Sequence, residues 1–177
     1  MAEAREGQTF IKHEFEEAIT IQESIVEAER ELAKDHPLPD ARKEIDAMAS
    51  QDEEQLRRLR EEGGKYGAKG ERDPVSQQLE QLARDVSKSA RRGPDSEKYE
   101  AHAVLLAMKR KQQDSARAMI QIARGMGNRD LRVASIEMFD ETRDSAEALA
   151  ASLGKLATEL AMRGQKPQQR QQGQAGR

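Results

Sequence analysis

Asp52 and Gln55 lie three residues apart in the stretch SQDEEQLRRL, on the same helical face as Ile45, Met48, Ala49, Leu56 and Leu59. That spacing puts two side chains one turn apart on one face. It is the spacing at which metal-binding helix bundles carry a Glu and a His. The other long helical patterns repeat the theme. Gln22 and Glu29 interrupt the apolar stripe of the first, Gln112 that of the fourth, and Thr142 and Ser145 that of the fifth. Amides and hydroxyls are poor ligands for iron or manganese, which prefer carboxylate and imidazole. They satisfy one another well by hydrogen bonding inside a bundle. The expectation is a buried polar layer of Gln22, Glu29, Asp52, Gln55, Gln112, Thr142 and Ser145 that fixes helix register. No catalytic or cofactor-binding residue is assigned. Glu29 and Asp52 are the weak candidates for a metal site, which would take iron or manganese. A buried Asp52 needs a donor, and Arg110 or Arg143 snorkelling along the stripe are the basic residues expected to reach it.

The remaining reactive residue types form no convincing constellation. His13 and Glu17 stand four apart and could share a cation, although such pairs are more often surface contacts. His36 falls in a loop and His102 beside an apolar stripe, with no partner at ligand spacing. The chain has no cysteine, which excludes thiol chemistry, disulfides and Cys-ligated zinc. It has no Gly-x-Ser-x-Gly turn. The glycine-rich GGKYGAKG lacks the Gly-Lys-Ser/Thr ending of a phosphate loop. Arg91-Arg92, Lys109-Arg110-Lys111 and the tail residues Arg163, Lys166, Arg170 and Arg177 are basic. Residues 163–177 offer a sequence-blind arm for nucleic acid in the manner of a DNA-coating protein, a weaker reading than a solvated tail.

The elements that must position these residues follow from composition and punctuation. The 177 residues are 36% hydrophobic, 36% charged and only 3% aromatic, so the core is thin and shared among long amphipathic elements. Ala, Glu, Arg, Gln, Leu and Met favour helix, and no strand-like alternation appears. The periodicity predicts helices over about Thr9–His36, Pro39/Asp40–Gly64 (Asp40 capping), Val75–Arg91, Asp95/Ser96–Gly125 and Asp130–Met162. Residues 1–8 read as a flexible N-terminus, 9–162 as one helical domain, and 163–177 as a disordered Gln-rich basic tail. Short links join the first helix to the second and the fourth to the fifth. About 30 residues with a short helix join the two pairs. The expected class is all-α, a ferritin-like four-helix bundle with a long crossover containing a short fifth helix. No stretch approaches the roughly 18 apolar residues of a membrane span, and the polar N-terminus is not a secretory signal. A cytoplasmic location with no membrane partner is the expectation.

The segment DEEQLRRLREEGGKYG resembles the bacterial YciE/YciF type of ferritin-like, stress-associated proteins. Asp52, Gln55, Arg58 and Leu59 stand in register with that family's Glu-Thr-x-x-Gln-x-x-Arg-Leu pattern. ARAMIQIARGMGNRDLRVASIEMFDETRDSAEAL resembles its last hairpin. The resemblance spans roughly residues 10–160. Where it implies a Glu-His-x-Glu pattern on the fourth helix, this chain has Lys109, Arg110 and Gln112, and Thr142 stands where a carboxylate is implied, so the di-iron ligands are largely replaced. The resulting expectation is a non-enzymatic bundle, structural or stress-related, acting by interaction and forming a homo-oligomer. A divergent iron- or manganese-binding protein or oxidase is the alternative.

Overall fold

A computed structural model describes the backbone of residues 2–69 and 93–172, together with 77, 78, 80–82, 84, 85 and 88 between them. Side chains are described from residue 7 to residue 163. Among the described residues four long helices stand out: α1 (Ala2–Asp35), α2 (Pro39–Gly64), α3 (Asp95–Gly125) and α4 (Arg129–Gln172). The protein is all-α: regular structure among the described residues is helical throughout, including the described positions from 77 to 88. The rest of the expected Val75–Arg91 helix lies outside the described residues. No helix among them is long and apolar enough to cross a membrane.

Local chemistry explains the boundaries. Pro37 and Pro39 end α1, because a helical conformation is disfavoured before proline. Leu38, extended at φ −91° and ψ 116°, becomes the N-cap of α2 without a side-chain cap, and Pro39 takes the first helical position. Asp40 therefore does not cap, contrary to the sequence expectation. It lies in the first turn, where its charge favours the helix N-terminus. Both α2 and α3 end in the same hydrogen-bonded turn. Gly67 (φ +79°) and Gly127 (φ +67°) adopt the left-handed conformation that glycine tolerates. Ala68 N–H then donates to Gly63 C=O at 3.0 Å, and Asn128 N–H to Ala123 C=O at 2.9 Å. Asn128 also caps α4, accepting from Leu131 N–H at 3.0 Å.

Two boundaries run further than the sequence pattern indicated. Helical backbone begins at Ala2 rather than Thr9, and continues to Gln172 through most of the segment read as a disordered tail. Gln, Arg, Ala and Glu favour propagation of a helix already nucleated by the packed part of the chain, whereas Gly164 and Pro167 in the second extension oppose it. Apolar periodicity marks only the packed part, so it stops short.

Successive helices form antiparallel hairpins, α1 with α2 and α3 with α4, and α1 also packs on α3 and α2 on α4. Contacts from Glu29 to Lys109 and from His36 to His102 show that α1 and α3 run antiparallel. Those of Gln55 with Met138 and Thr142, and of Leu38 and Ala41 with Leu156, show the same for α2 and α4. It follows that α2 and α3 point the same way, so the segment 65–94 joins opposite ends of the bundle. Its described residues Leu82 and Arg84 lie over the α1/α3 side, Leu82 beside Ile21 and Val104, and Arg84 Nε 3.5 Å from Glu27.

The interior divides into apolar halves. One gathers Ile21, Ile25, Leu32, Ile45, Met48, Leu105, Met108 and Leu149. The other gathers Ile11, Phe15, Ile19, Leu56, Leu59, Met119, Leu131 and Met138. A small third group, Leu38, Ala41 and Leu156, closes the end at the α1–α2 turn. At the opposite end Phe15 stacks on Tyr66, ring centroids 5.4 Å apart, and a Cβ on Gly63 would sit 3.2 Å from Phe15, so the missing side chain admits the ring. Phe15 is 2% exposed in a core with few aromatics. Phe15→Ala is expected to cost about 3–5 kcal/mol, read as a lowered urea midpoint with an unchanged slope; a loss below about 1 kcal/mol would contradict this packing.

Candidate functional site

Between the apolar halves lies a layer of polar side chains with Lys109 at its centre. Lys109 is fully buried. Its ammonium contacts Asp52 Oδ2 and lies 2.9 Å from Glu29 Oε1. Asp52 Oδ1 accepts from Gln22 Nε2 at 2.7 Å, and the same amide reaches the Asp52 carbonyl at 3.2 Å. Gln112 Nε2 donates to Ala18 C=O at 3.3 Å. Gln55 Nε2 lies between Met138 C=O, Thr142 Oγ1 and Glu141 Oε2 at 3.3–3.4 Å. Three helices thus meet through α1 Gln22 and Glu29, α2 Asp52 and α3 Lys109, and Gln55 carries the layer on to α4.

The register explains why a lysine points inward. Leu105, Lys109, Gln112 and Ala116 follow steps of four, three and four along α3, and all four are buried. In the sequence Lys109 opens the run Lys-Arg-Lys and reads as a basic surface feature. Its inward position corrects that expectation. The two neighbours do face out, Arg110 toward Gln113 and Lys111 toward Glu17 at 2.5 Å. Arg110 and Arg143, expected to reach Asp52, are occupied elsewhere, Arg143 by Asp140 and Asp144 at 2.8 and 2.9 Å. A lysine one step along the stripe satisfies the buried acid without a long reach from the rim. Of the expected layer, Gln22, Glu29, Asp52, Gln55, Gln112 and Thr142 are buried. Ser145 is not brought into it. It is half-buried and donates to Thr142 C=O of its own helix.

Charge within the layer is set by burial. Desolvation holds the Glu29 carboxyl well above its ordinary value; the Lys109 ammonium works against this and the nearby Asp52 with it. Burial thus favours the neutral form of Glu29. The layer is otherwise rich in acceptors, since Oε1 of Gln22, Gln55 and Gln112 receives no hydrogen bond from the protein. A di-iron centre needs several carboxylates and imidazoles converging on one point. Here Glu29 and Asp52 converge on an ammonium, and the other helices contribute amide and hydroxyl. This donor set does not fit iron or manganese. Among the described residues no group of three or more His, Cys, Asp and Glu is placed to hold a metal ion.

Two of the three histidines fall differently from expectation. His13 is exposed, and Glu17 pairs with Lys111 across helices. His36 and His102, which lack partners by sequence spacing, are both fully buried and lie together, Nε2 of His36 3.0 Å from Nδ1 of His102. Sixty-six positions separate them, so only the antiparallel packing of α1 on α3 brings them together. The signal available in the sequence was the alignment of His102 with Leu105 and Lys109 along one stripe.

Compared with protein-family models, curated proteins and solved structures, the chain matches none.

Removing the ammonium leaves two buried carboxyl groups uncompensated. Lys109→Met is expected to cost about 3–5 kcal/mol at neutral pH. Glu29 binds its proton more tightly in the folded than in the unfolded chain, so its stabilising contribution is present in acid and lost as pH rises through the folded value. Without Lys109 this dependence steepens, and the variant's deficit should shrink on acidification. Adding Glu29→Gln and Asp52→Asn to Lys109→Met should recover most of the loss at pH 7. Thermal melts of the single and triple variants from pH 4 to 8 check this; a pH-independent deficit, or none, would contradict the buried cluster.

Proposed function

We propose that this chain is a non-enzymatic, ferritin-like helical bundle, a structural or stress-related interaction protein that self-associates. The observation that carries the reading is Lys109. Its ammonium stands between Glu29 and Asp52 at mid-bundle, where a metal-dependent relative would place its ion. A charged group supplied by the chain itself does there what a bound cation does elsewhere, neutralising inward acids and holding helices in register. The connectivity supports the same reading, since the segment between the two hairpins links opposite ends of the bundle. The DEEQLRRLREEGGKYG resemblance to YciE/YciF-type proteins agrees with it.

Self-association is supported by apolar side chains left on the surface. Phe10, Met126, Val133 and Ile136 are 37–55% exposed. Scattered exposed hydrophobics are ordinary, but Val133 and Ile136 lie one turn apart on one side of α4.

Two measurements on the full chain test the proposal. Light scattering at micromolar concentration is expected to give a mass above the monomer. Elemental analysis of protein purified without chelator is expected to find iron and manganese far below one per chain. A strictly monomeric mass removes the self-association; stoichiometric iron or manganese overturns the non-metal reading in favour of a divergent metal-binding protein or oxidase.

A further inference from the structure

The buried histidine pair is built as a one-way chain of hydrogen bonds in which every ring nitrogen has one fixed role. Leu38 N–H donates to Nδ1 of His36 at 3.1 Å, so this ring carries its proton on Nε2. That Nε2 lies 3.0 Å from Nδ1 of His102, which must accept. His102 then holds its proton on Nε2 and donates to Leu149 C=O at 2.9 Å. The chain of bonds passes from the α1–α2 turn through α3 to α4 and works only with both rings neutral. A second proton on His102 would set N–H against N–H, unless the His36 proton moved to Nδ1, where Leu38 C=O is 3.4 Å away and Leu38 N–H would lose its acceptor. On His36 it would face Leu38 N–H, with Leu38 C=O 3.4 Å away as the nearest acceptor.

The surroundings give little help to an added charge. Facing His36 are Arg42 from α2, which donates to the His36 carbonyl at 2.9 Å, and Asp95 and Lys98 from α3. Asp35 at the end of α1 is held by Lys98 at 2.8 Å, and Asp95 by Arg163 of α4. His102 faces His36 and, on α4, the Leu149 carbonyl, which Ser152 Oγ also uses at 3.2 Å. Directly beyond the pair, Leu38, Ala41 and Leu156, with Tyr99 and Leu160 against them, make the small apolar group that closes this end.

We infer that His36 and His102 form an acid-sensitive clasp, which holds the α1–α2 turn on α3 and α4 at neutral pH and releases that end of the bundle, with its apolar group, on protonation. Burial, reinforced by His36, lowers His102 from 6.5 to about 4, against the pull of the Leu149 carbonyl, and burial likewise lowers His36. The opened state takes up the proton that the closed state refuses, so closure is strongest above the unfolded value near 6.5 and weakens as pH falls toward the folded one. For His102 alone, moving from pH 7.5 to pH 5 raises the opening equilibrium about 30-fold. Glu29 titrates with the opposite sign and lies in mid-bundle, so it cannot supply this loss.

Hydrogen exchange of the full chain at pH 7.5 and pH 5, corrected for the intrinsic pH dependence of exchange, tests the clasp. Amides of residues 42–46 in α2 are expected to lose about 30-fold protection at pH 5, while those of residues 56–60 at the far end keep theirs. Equal protection at the two pH values, or loss spread evenly over both ends, overturns the inference. The double variant His36→Gln/His102→Gln keeps an acceptor and a donor at each position but cannot take the extra proton. Its residues 42–46 should show no pH difference, and a wild-type-like difference would also overturn the inference. If this variant does not fold, the wild-type comparison decides alone.

Discussion

A lysine ammonium enclosed in the middle of a helical bundle constrains everything packed around it. Taking an ammonium out of water costs several kcal/mol unless charge and hydrogen bonds compensate it. Lys109 is compensated only where Asp52 of α2 and Glu29 of α1 reach it together. That meeting requires one register between α1 and α2 and another between α1 and α3. Shifting either helix by a turn, about 5.4 Å, separates the charges and strands them in an apolar interior. The apolar halves on either side carry no comparable instruction. They are built of Ile, Leu, Met and Ala, side chains that repack with modest loss when one helix slides past another. Apolar burial drives these helices together, and the polar layer selects among the ways they could meet.

The seams are unequal, and the polar contacts track the difference. Along α1 and α2, Arg30 bridges to Asp46 and Glu53 at 3.1 and 2.9 Å, and Arg60 to Glu23 at 2.7 Å. These exposed pairs contribute little individually but line a joint already closed by Ile25, Ile45 and Met48. Across α2 and α4 the contact is thinner. Gln55 reaches the α4 backbone, Arg58 pairs with Glu141 at 2.6 Å, and a cavity of about 40 Å³ lies beside them among Phe15, Leu59, Met119, Leu131 and Met138. The ends compensate for this weaker seam. At one, Asn128 Nδ2 donates to Tyr66 Oη at 2.7 Å, joining the α3–α4 turn to the end of α2. At the other, the histidine pair joins the α1–α2 turn to α4 through Leu149.

The number and order of the long helices were legible because two signals coincided. Apolar residues recurred at helical spacing, and Pro37, Pro39, Gly67 and Gly127 stood where the pattern broke. The inward positions of Gln22, Asp52, Gln55, Gln112 and Thr142 were legible for the same reason, each interrupting a stripe. Lys109 was not legible. Flanked by Arg110 and Lys111, it belongs by composition to a surface run, and only the angular position of residue 109 between Leu105 and Gln112 distinguishes it. The pairing of His36 with His102 was invisible for a different reason: it depends on how α1 lies against α3, which no local pattern encodes. Ser145 shows the converse error. Three residues beyond Thr142 it shares a nominal face, yet its hydroxyl turns back to its own helix, as serine does when no partner comes within reach.

The charge within the layer also bears on the resemblance to metal-binding bundles. Two inward acids and a divalent ion form a neutral unit. So do one ionised acid, one protonated acid and one ammonium, which is the arrangement that the burial of Glu29 favours. Exchanging the first for the second preserves the charge balance. It changes what the centre can do. An ammonium offers fixed donors, no open coordination position and no redox chemistry, and Lys109 is sealed from solvent on every side. At this centre the buried charges hold α1, α2 and α3 to one register.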